Sequence, residues 1–199
     1  MNQSGFDRLA RKTVGGETIT YGILRGNERI VFIKSGAGGN INGYRDKYLR
    51  MARRARERLG ATVICASNPF IGSGHVAADR AAIEQIAAAL QLGSYTVDLV
   101  GTSDGAYHAL LLAKELPQAA GLLAINPSLI DLADLRERLL ALPQLDKTLV
   151  YGTKDEDYAS LSQLSSLANE RLTFVAAEGA DHRFGGMVEA FVNLIDLLI

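Results

Sequence analysis

Residues 95–113 read YTVDLVGTSDGAYHALLLA, and the parsing of this stretch decides the fold. Val97, Leu99 and Val100 form a short apolar run that predicts a buried strand. Gly101, Thr102, Ser103, Asp104 and Gly105 predict a sharp turn, and the residues after it predict a helix with an apolar face. Strand, Gly-x-Ser-x-Gly and helix, in that order, make a nucleophile elbow. The glycines have a steric cause: the serine sits on a strained turn where neighbouring chain passes too close for a Cβ. Such a turn lifts the Ser103 hydroxyl above the strand ends. It also aims the backbone N–H of Asp104, with the positive end of the helix, at the same point. Taken alone, the pattern also fits a plain glycine-bounded strand–helix turn.

The composition narrows the field. A chain of 199 residues fits one domain, residues 1–199, with enough length to bury a full core. Hydrophobic residues make up 48% and charged residues 22%, the balance of an ordinary globular protein. A net charge of −1 argues against nucleic acid or a membrane surface as a general partner. The single cysteine, Cys65, excludes an internal disulfide, fits a reducing compartment and lies in an apolar strand-like run. The first twenty residues carry Asp7, Arg8, Arg11, Lys12 and Glu17 with no apolar leader segment, and no apolar run approaches a membrane span. A cytoplasmic location is expected.

Outward from the elbow, strand and helix signals alternate. Residues 17–24 predict an edge strand, with Gly26 and Asn27 as a hairpin-like turn after it. Residues 30–33 predict a strand buried on both faces, followed by a second glycine cluster, Ser35, Gly36, Ala37, Gly38, Gly39. A dinucleotide fingerprint fails there because its last glycine falls on Ile41, and a P-loop fails for want of a terminal Gly-Lys-Ser/Thr. An oxyanion loop, with a backbone N–H near Ala37 facing the serine, remains. A helix over 44–59 follows, capped by Gly60. Its outer face carries Arg45, Lys47, Arg50, Arg53, Arg54, Arg56 and Arg58, either an anion-binding patch or, as expected here, a solvated face balanced by acids elsewhere.

Further strands are predicted over 62–66, 121–125, 148–151 and 172–176, separated by helical patterns, the last of them carrying Met187, Phe191, Leu194, Ile195 and Leu198. Strands alternating with helices at this spacing predict an α/β three-layer sandwich: a mostly parallel twisted sheet with helices on both faces. Ligands of such sheets bind beyond the carboxyl ends of the strands, where the glycine- and carboxylate-rich loops all fall.

A serine hydroxyl needs a base to take its proton and a third group to orient that base. Of three histidines, His108 lies within an apolar helix and reads as a core or helix-surface residue. His75 lies in a loop that could border the site. His182 follows a strand end and is the only histidine downstream of the elbow turn's helix, so it is the candidate base. Asp155 ends the preceding strand and is the candidate acid, with Glu156 and Asp157 as neighbouring alternatives. Asp181, adjacent to His182, is expected to point away.

The order Ser103, Asp155, His182 resembles that of the α/β-hydrolases. The resemblance spans nearly the whole chain and rests on four motifs: the loop from Ser35 to Gly39, the elbow, Gly152-x-x-Asp155, and Gly179-x-x-His182-x-Phe184. It implies an eight-stranded-type α/β-hydrolase sheet with a catalytic triad at its top. It also implies an oxyanion hole made by the N–H groups of Ala37 and Asp104. Two departures stand out. Ser35-Gly36 replaces the His-Gly of many members. About twenty residues separate the strand at Ile125 from that at Thr148, room for one helix and a minimal cap rather than a lid. The expected site is open, or covered by the loops at Asn40 and Phe70. Candidate substrate contacts are Gly36, Gly38, Phe70, Ile71 and Tyr107, with Leu129, Ile130 and Phe184 as further pocket lining.

The function these readings favour is a serine esterase acting on a small-molecule acyl substrate (ester, thioester or amide) with no cofactor and no metal. An acyltransferase on the same triad and a low-turnover binding protein of the same fold are the alternatives. The sequence carries no signal for oligomeric state.

Overall fold

The computed structural model describes residues 5–69, 75–128 and 131–198. Its strands are β1 (Arg8–Val14), β2 (Glu17–Leu24), β3 (Asn27–Lys34), β4 (Ala61–Ala66), β5 (Thr96–Thr102), β6 (Ala119–Ile125), β7 (Asp146–Gly152) and β8 (Leu172–Ala177). They form one sheet in the order β1-β2-β4-β3-β5-β6-β7-β8. The six strands from β4 to β8 run parallel, and β2 and β1 continue the sheet antiparallel. The strands of the middle, such as β4 with all six residues buried, are mostly apolar because both of their faces are covered.

Alternation along β3 sorts its side chains into two cores. Ile30 and Phe32 join the cluster under helices α2 (Val76–Ala89), α3 (Asp104–Glu115) and α4 (Leu132–Leu140), which also takes in Leu161 of the short helix α5 (Tyr158–Leu161). Val31 and Ile33 join the cluster under α1 (Lys47–Leu59) and α6 (Val188–Asn193). Three layers follow from this period of two.

Two expectations at the start of the chain are corrected. Residues 17–24 are a strand but not an edge strand: β1 lies outside it, paired in register from Arg8↔Ile23 to Val14↔Glu17. Nor do Gly26 and Asn27 make a hairpin, since β2 pairs with β4 and β3 lies on the far side of β4. Gly26 is required there for another reason, because a Cβ on it would sit 2.2 Å from the Ala61 carbonyl oxygen. The hairpin turn is Gly15-Gly16, whose φ values of 58° and 88° are the positive pair that a tight two-residue connection needs.

The arginine face of α1 is a docking surface for the chain itself. Arg50 pairs with Glu189 of α6, Arg54 with Asp196, and Arg56 with Asp7 at 3.3 Å. The solvated-face reading is therefore refined: these charges stitch α1 to the C-terminal helix and to the N-terminal segment. Helix α1 starts at Lys47, after a single tight turn over 44–46, and ends at Gly60 in the left-handed conformation at φ 65°. No helix among the described residues is long and apolar enough to cross a membrane.

Candidate active site

Ser103 joins β5 to α3 with φ 55° and ψ −128°, a conformation that costs an ordinary residue on the order of 1–3 kcal/mol. The surrounding chain imposes it. A Cβ on Gly101 would meet the Gly105 carbonyl oxygen at 2.2 Å, and one on Gly105 would meet the Ser35 carbonyl oxygen at 2.4 Å. Both glycines of the motif are thus needed for backbone-to-backbone approach. Gly36 is the third close neighbour: its Cβ position lies 3.2 Å from Ser103 Cβ, so any larger residue there would press on the Ser103 side chain.

The fold gathers three loops at this point. Ser103 Oγ lies 2.9 Å from His182 Nε2, and His182 Nδ1 lies 2.7 Å from Asp155 Oδ2. The Asp155 carboxylate is fully buried while the imidazole remains about a third exposed, so the carboxylate is shielded from solvent and the imidazole is reachable. Between Asp155 and its neighbours the geometry selects Asp155, whose other oxygen accepts the Asp157 N–H at 3.0 Å. Asp181 points away, as expected: its Oδ1 accepts from the N–H groups of Arg183 and Gly185 at 3.0 and 2.7 Å.

The loops that carry Asp155 and His182 are pressed together. A Cβ on Gly152 would lie 2.3 Å from the Ala180 carbonyl oxygen, Lys154 N–H donates to that same oxygen at 2.9 Å, and Gly179 N–H donates to Thr153 Oγ1 at 2.8 Å. From the other side, Lys47 Nζ donates to the Arg183 carbonyl at 3.0 Å while lying over the Phe191 ring. Burial lowers this lysine to about 8.

The loop after β3 is held by Asn68, which follows β4 and is completely buried. Its Nδ2 donates to the Ser35 carbonyl at 3.2 Å and to Asp104 Oδ2 at 2.9 Å, and its carbonyl accepts the Gly38 N–H at 2.8 Å. Gly38 therefore has its N–H already engaged. Ala37 is exposed, between Gly36 and Gly38, and Asp104 opens α3 with its side chain buried.

Of the other expected contacts, one falls elsewhere. Phe184 is no pocket residue: it is buried in the core, edge-to-face with Phe191 at 5.5 Å between ring centres. Tyr107 is half-buried with its hydroxyl bonded to Asp134 and Arg138 of α4. Phe70, Ile71, Leu129 and Ile130 lie outside the described residues. Among the described residues, the only helix between β6 and β7 is α4, in keeping with a minimal cap.

Beneath the elbow lies a buried ionic cluster. Lys34 Nζ and the Asp79 carboxylate, both without solvent exposure, meet at 2.7 Å. Asp79 also receives the Tyr21 hydroxyl at 2.7 Å and contacts His108 Nε2 at 2.8 Å, and His108 stacks on His75 at 4.4 Å. His75 is thus an interior residue at the start of α2 rather than a border of the site. Burial pushes the Asp79 carboxyl up, but His108 and Lys34 outweigh it and hold the group below the usual carboxylate range. His75, Asp79 and His108 bring metal-ligand atom types within 4.8 Å of one another. The Lys34 ammonium, however, already sits on the oxygen a cation would share, and near-parallel rings do not converge their lone pairs on one point.

The sequence reading missed two polar residues at the end of β6. Ser128 Oγ lies 3.0 Å from Ser103 Oγ. Asn126, buried and at φ 42°, accepts the Gly152 N–H at 2.7 Å and donates to the carbonyls of Asp181 and His182 at 3.1 and 3.0 Å.

No protein-family model matches the chain, and no curated protein matches it. Solved structures do. An α/β serine hydrolase homologue from Coxiella burnetii superposes with a TM-score of 0.73 at 20% identity, covering 98% of each chain. A serine hydrolase without a lid from Xanthomonas campestris gives 0.69 at 19% identity, over 96% of this chain and 93% of that one. The esterase domain of a Rhodothermus marinus protein gives 0.71 at 15% identity, over 96% and 95%. By strand order, parallel crossovers and these structural neighbours, the chain has the α/β-hydrolase fold.

Proposed function

We propose that the protein is a serine hydrolase that cleaves a carboxylic ester, thioester or amide through an acyl-enzyme on Ser103. The observation that carries this reading is the unbroken contact from Ser103 Oγ through His182 to the buried Asp155. A binding protein of this fold needs neither an aligned base nor a shielded acid.

In the proposed cycle Asp155 accepts the Nδ1–H of His182, which leaves Nε2 free to accept the Ser103 proton. As that proton moves, Ser103 Oγ bonds to the acyl carbon and the carbonyl π pair moves onto oxygen. The N–H groups of Ala37 and Asp104 are the proposed donors to that oxyanion, the second reinforced by the N-terminal end of α3. Collapse of the adduct breaks the bond to the leaving group, which takes the proton from His182. Water then repeats the sequence in reverse roles, releasing the acid and restoring Ser103.

A series of 4-nitrophenyl esters of increasing acyl length tests this reading. The expected result is steady release of nitrophenolate, preceded at saturating ester by a burst approaching one equivalent per protein where deacylation is slower. Absence of release across the whole series, above the rate in buffer, would overturn it.

A further inference from the structure

We propose that the segment Asn126-Pro127-Ser128 at the end of β6 is a positioning element that registers nucleophile, base and acid against one another. The proposal rests on the hydrolase reading of the site.

Each loop of the triad is tied to this segment by a separate bond. Asn126 Oδ1 accepts the N–H of Gly152, the last residue of β7 before the Asp155 turn, at 2.7 Å. Asn126 Nδ2 donates to the Asp181 and His182 carbonyls, one of them on the base itself. Ser128 Oγ lies 3.0 Å from Ser103 Oγ, and the adjoining Ile125 carbonyl accepts the Ser103 N–H at 2.9 Å. With its own proton directed at His182 Nε2, Ser103 Oγ can only accept from Ser128, so the Ser128 hydroxyl is the donor.

Asparagine suits the place on three counts. Its amide supplies one acceptor and two donors, and here all three are used. Its orientation is therefore fixed, since a flipped amide would set its oxygen against two carbonyls. Asparagine also tolerates the left-handed backbone that bends the chain here, at φ 42°. Without the amide, the base loop keeps its covalent path but loses its register on β7. A displacement of about 1 Å in such a group is worth roughly 10²-fold in rate. Ser128 contributes one neutral hydrogen bond to a reacting atom, worth about tenfold or less.

The test compares Asn126→Ala, Ser128→Ala and Ser128→Thr with the wild-type protein. Asn126→Ala is expected to lower kcat by about 10²-fold with KM changed less than threefold. It should also remove the far-downfield proton signal of the His182 Nδ1–H···Asp155 bond, identified by its absence from Asp155→Ala. Ser128→Ala is expected to lower kcat by about five- to tenfold, and Ser128→Thr, which keeps the hydroxyl, to recover most of that loss. A wild-type kcat together with an intact downfield signal in Asn126→Ala would overturn the proposal. Should Asn126→Ala fail to fold, equal rates in the two Ser128 variants would do so. Failure of the hydrolase reading looks different: the wild-type protein turns over no ester, while the downfield signal, which needs no substrate, still reports whether Asn126 holds His182 on Asp155.

Discussion

Replacing Ser103 or His182 with alanine is expected to lower kcat for ester hydrolysis by ~10⁶-fold, with the melting temperature nearly unchanged. The size follows from the contact geometry. Ser103 Oγ lies 2.9 Å from His182 Nε2, and among the described residues no other base is bonded to it. Removing either partner leaves an alcohol or water attacking unaided. The two losses should also fail to add: Ser103→Ala/His182→Ala is expected to be no slower than either single variant, because the pair acts as a unit. The oxyanion donors and substrate contacts remain, so a residual rate above that of buffer is expected. Stability is spared because the imidazole is partly exposed and Ser103→Ala removes only a hydroxyl, leaving the backbone conformation at the turn as it was. Additive losses, or a wild-type rate in either variant, would contradict the assignment.

Asp79→Ala has the largest expected effect on stability, a loss of about 3–5 kcal/mol. The reason is the charge left behind. Lys34 and Asp79 are both without solvent exposure, and among the described residues Asp79 is the only carboxylate bonded to that ammonium. Removing it strands a buried cation, the Tyr21 hydroxyl and His108 together. The paired replacement Lys34→Met/Asp79→Leu is expected to recover much of the loss, since taking out both charges avoids the desolvation cost of each. Chemical denaturation with an unchanged slope checks both.

The same cluster sets a pH dependence. Burial, followed by the charges of Lys34 and His108, lowers His75 from 6.5 to about 4, with Asp79 opposing. The unfolded chain then binds the extra proton between those values. Stability is therefore full above pH 6.5 and is lost progressively as pH falls toward 4, on the order of 3 kcal/mol in all. Protonation of Asp79 adds to the loss further into acid, because its folded-state value is also depressed. His75→Leu should flatten the upper part of this slope. An unaltered slope in that variant would place the acid sensitivity elsewhere.

What the sequence made legible is what local patterns encode. The elbow, the glycine loop after β3 and the two strand-end motifs at Gly152 and Gly179 each signal a backbone shape, and each stands where its pattern placed it. Strand β1 left no such signal, because Arg8, Arg11 and Lys12 fall on both faces of the strand and break the alternation that marks a half-buried one. The false hairpin at Gly26 and Asn27 had a different cause. Strand β2 has its second partner in β4, some forty residues later, and pairing at that distance leaves no trace in residues 17–24. Asn126, Pro127 and Ser128 carry no distinct signal, because those residue types also make ordinary turns. The signal available was position: a polar residue directly after an all-apolar strand, at the end of the sheet where sites form. Asp79 carried a clearer one. It shares a face with Ala82, Ile83 and Ile86, three and four residues apart, so helical spacing alone puts a carboxylate in the core and calls for a buried partner. Lys34, at the end of the apolar run of β3, was that partner.

The central claim is that folding turns Ser103 into an activated nucleophile, and covalent trapping tests it most directly. Native protein treated with a fluorophosphonate is expected to gain one phosphonyl group, which fragmentation of the tryptic peptide places on Ser103. The adduct should be absent from heat-denatured protein and from Ser103→Ala. No adduct on the native protein, or an adduct on another residue that survives Ser103→Ala, would contradict the account.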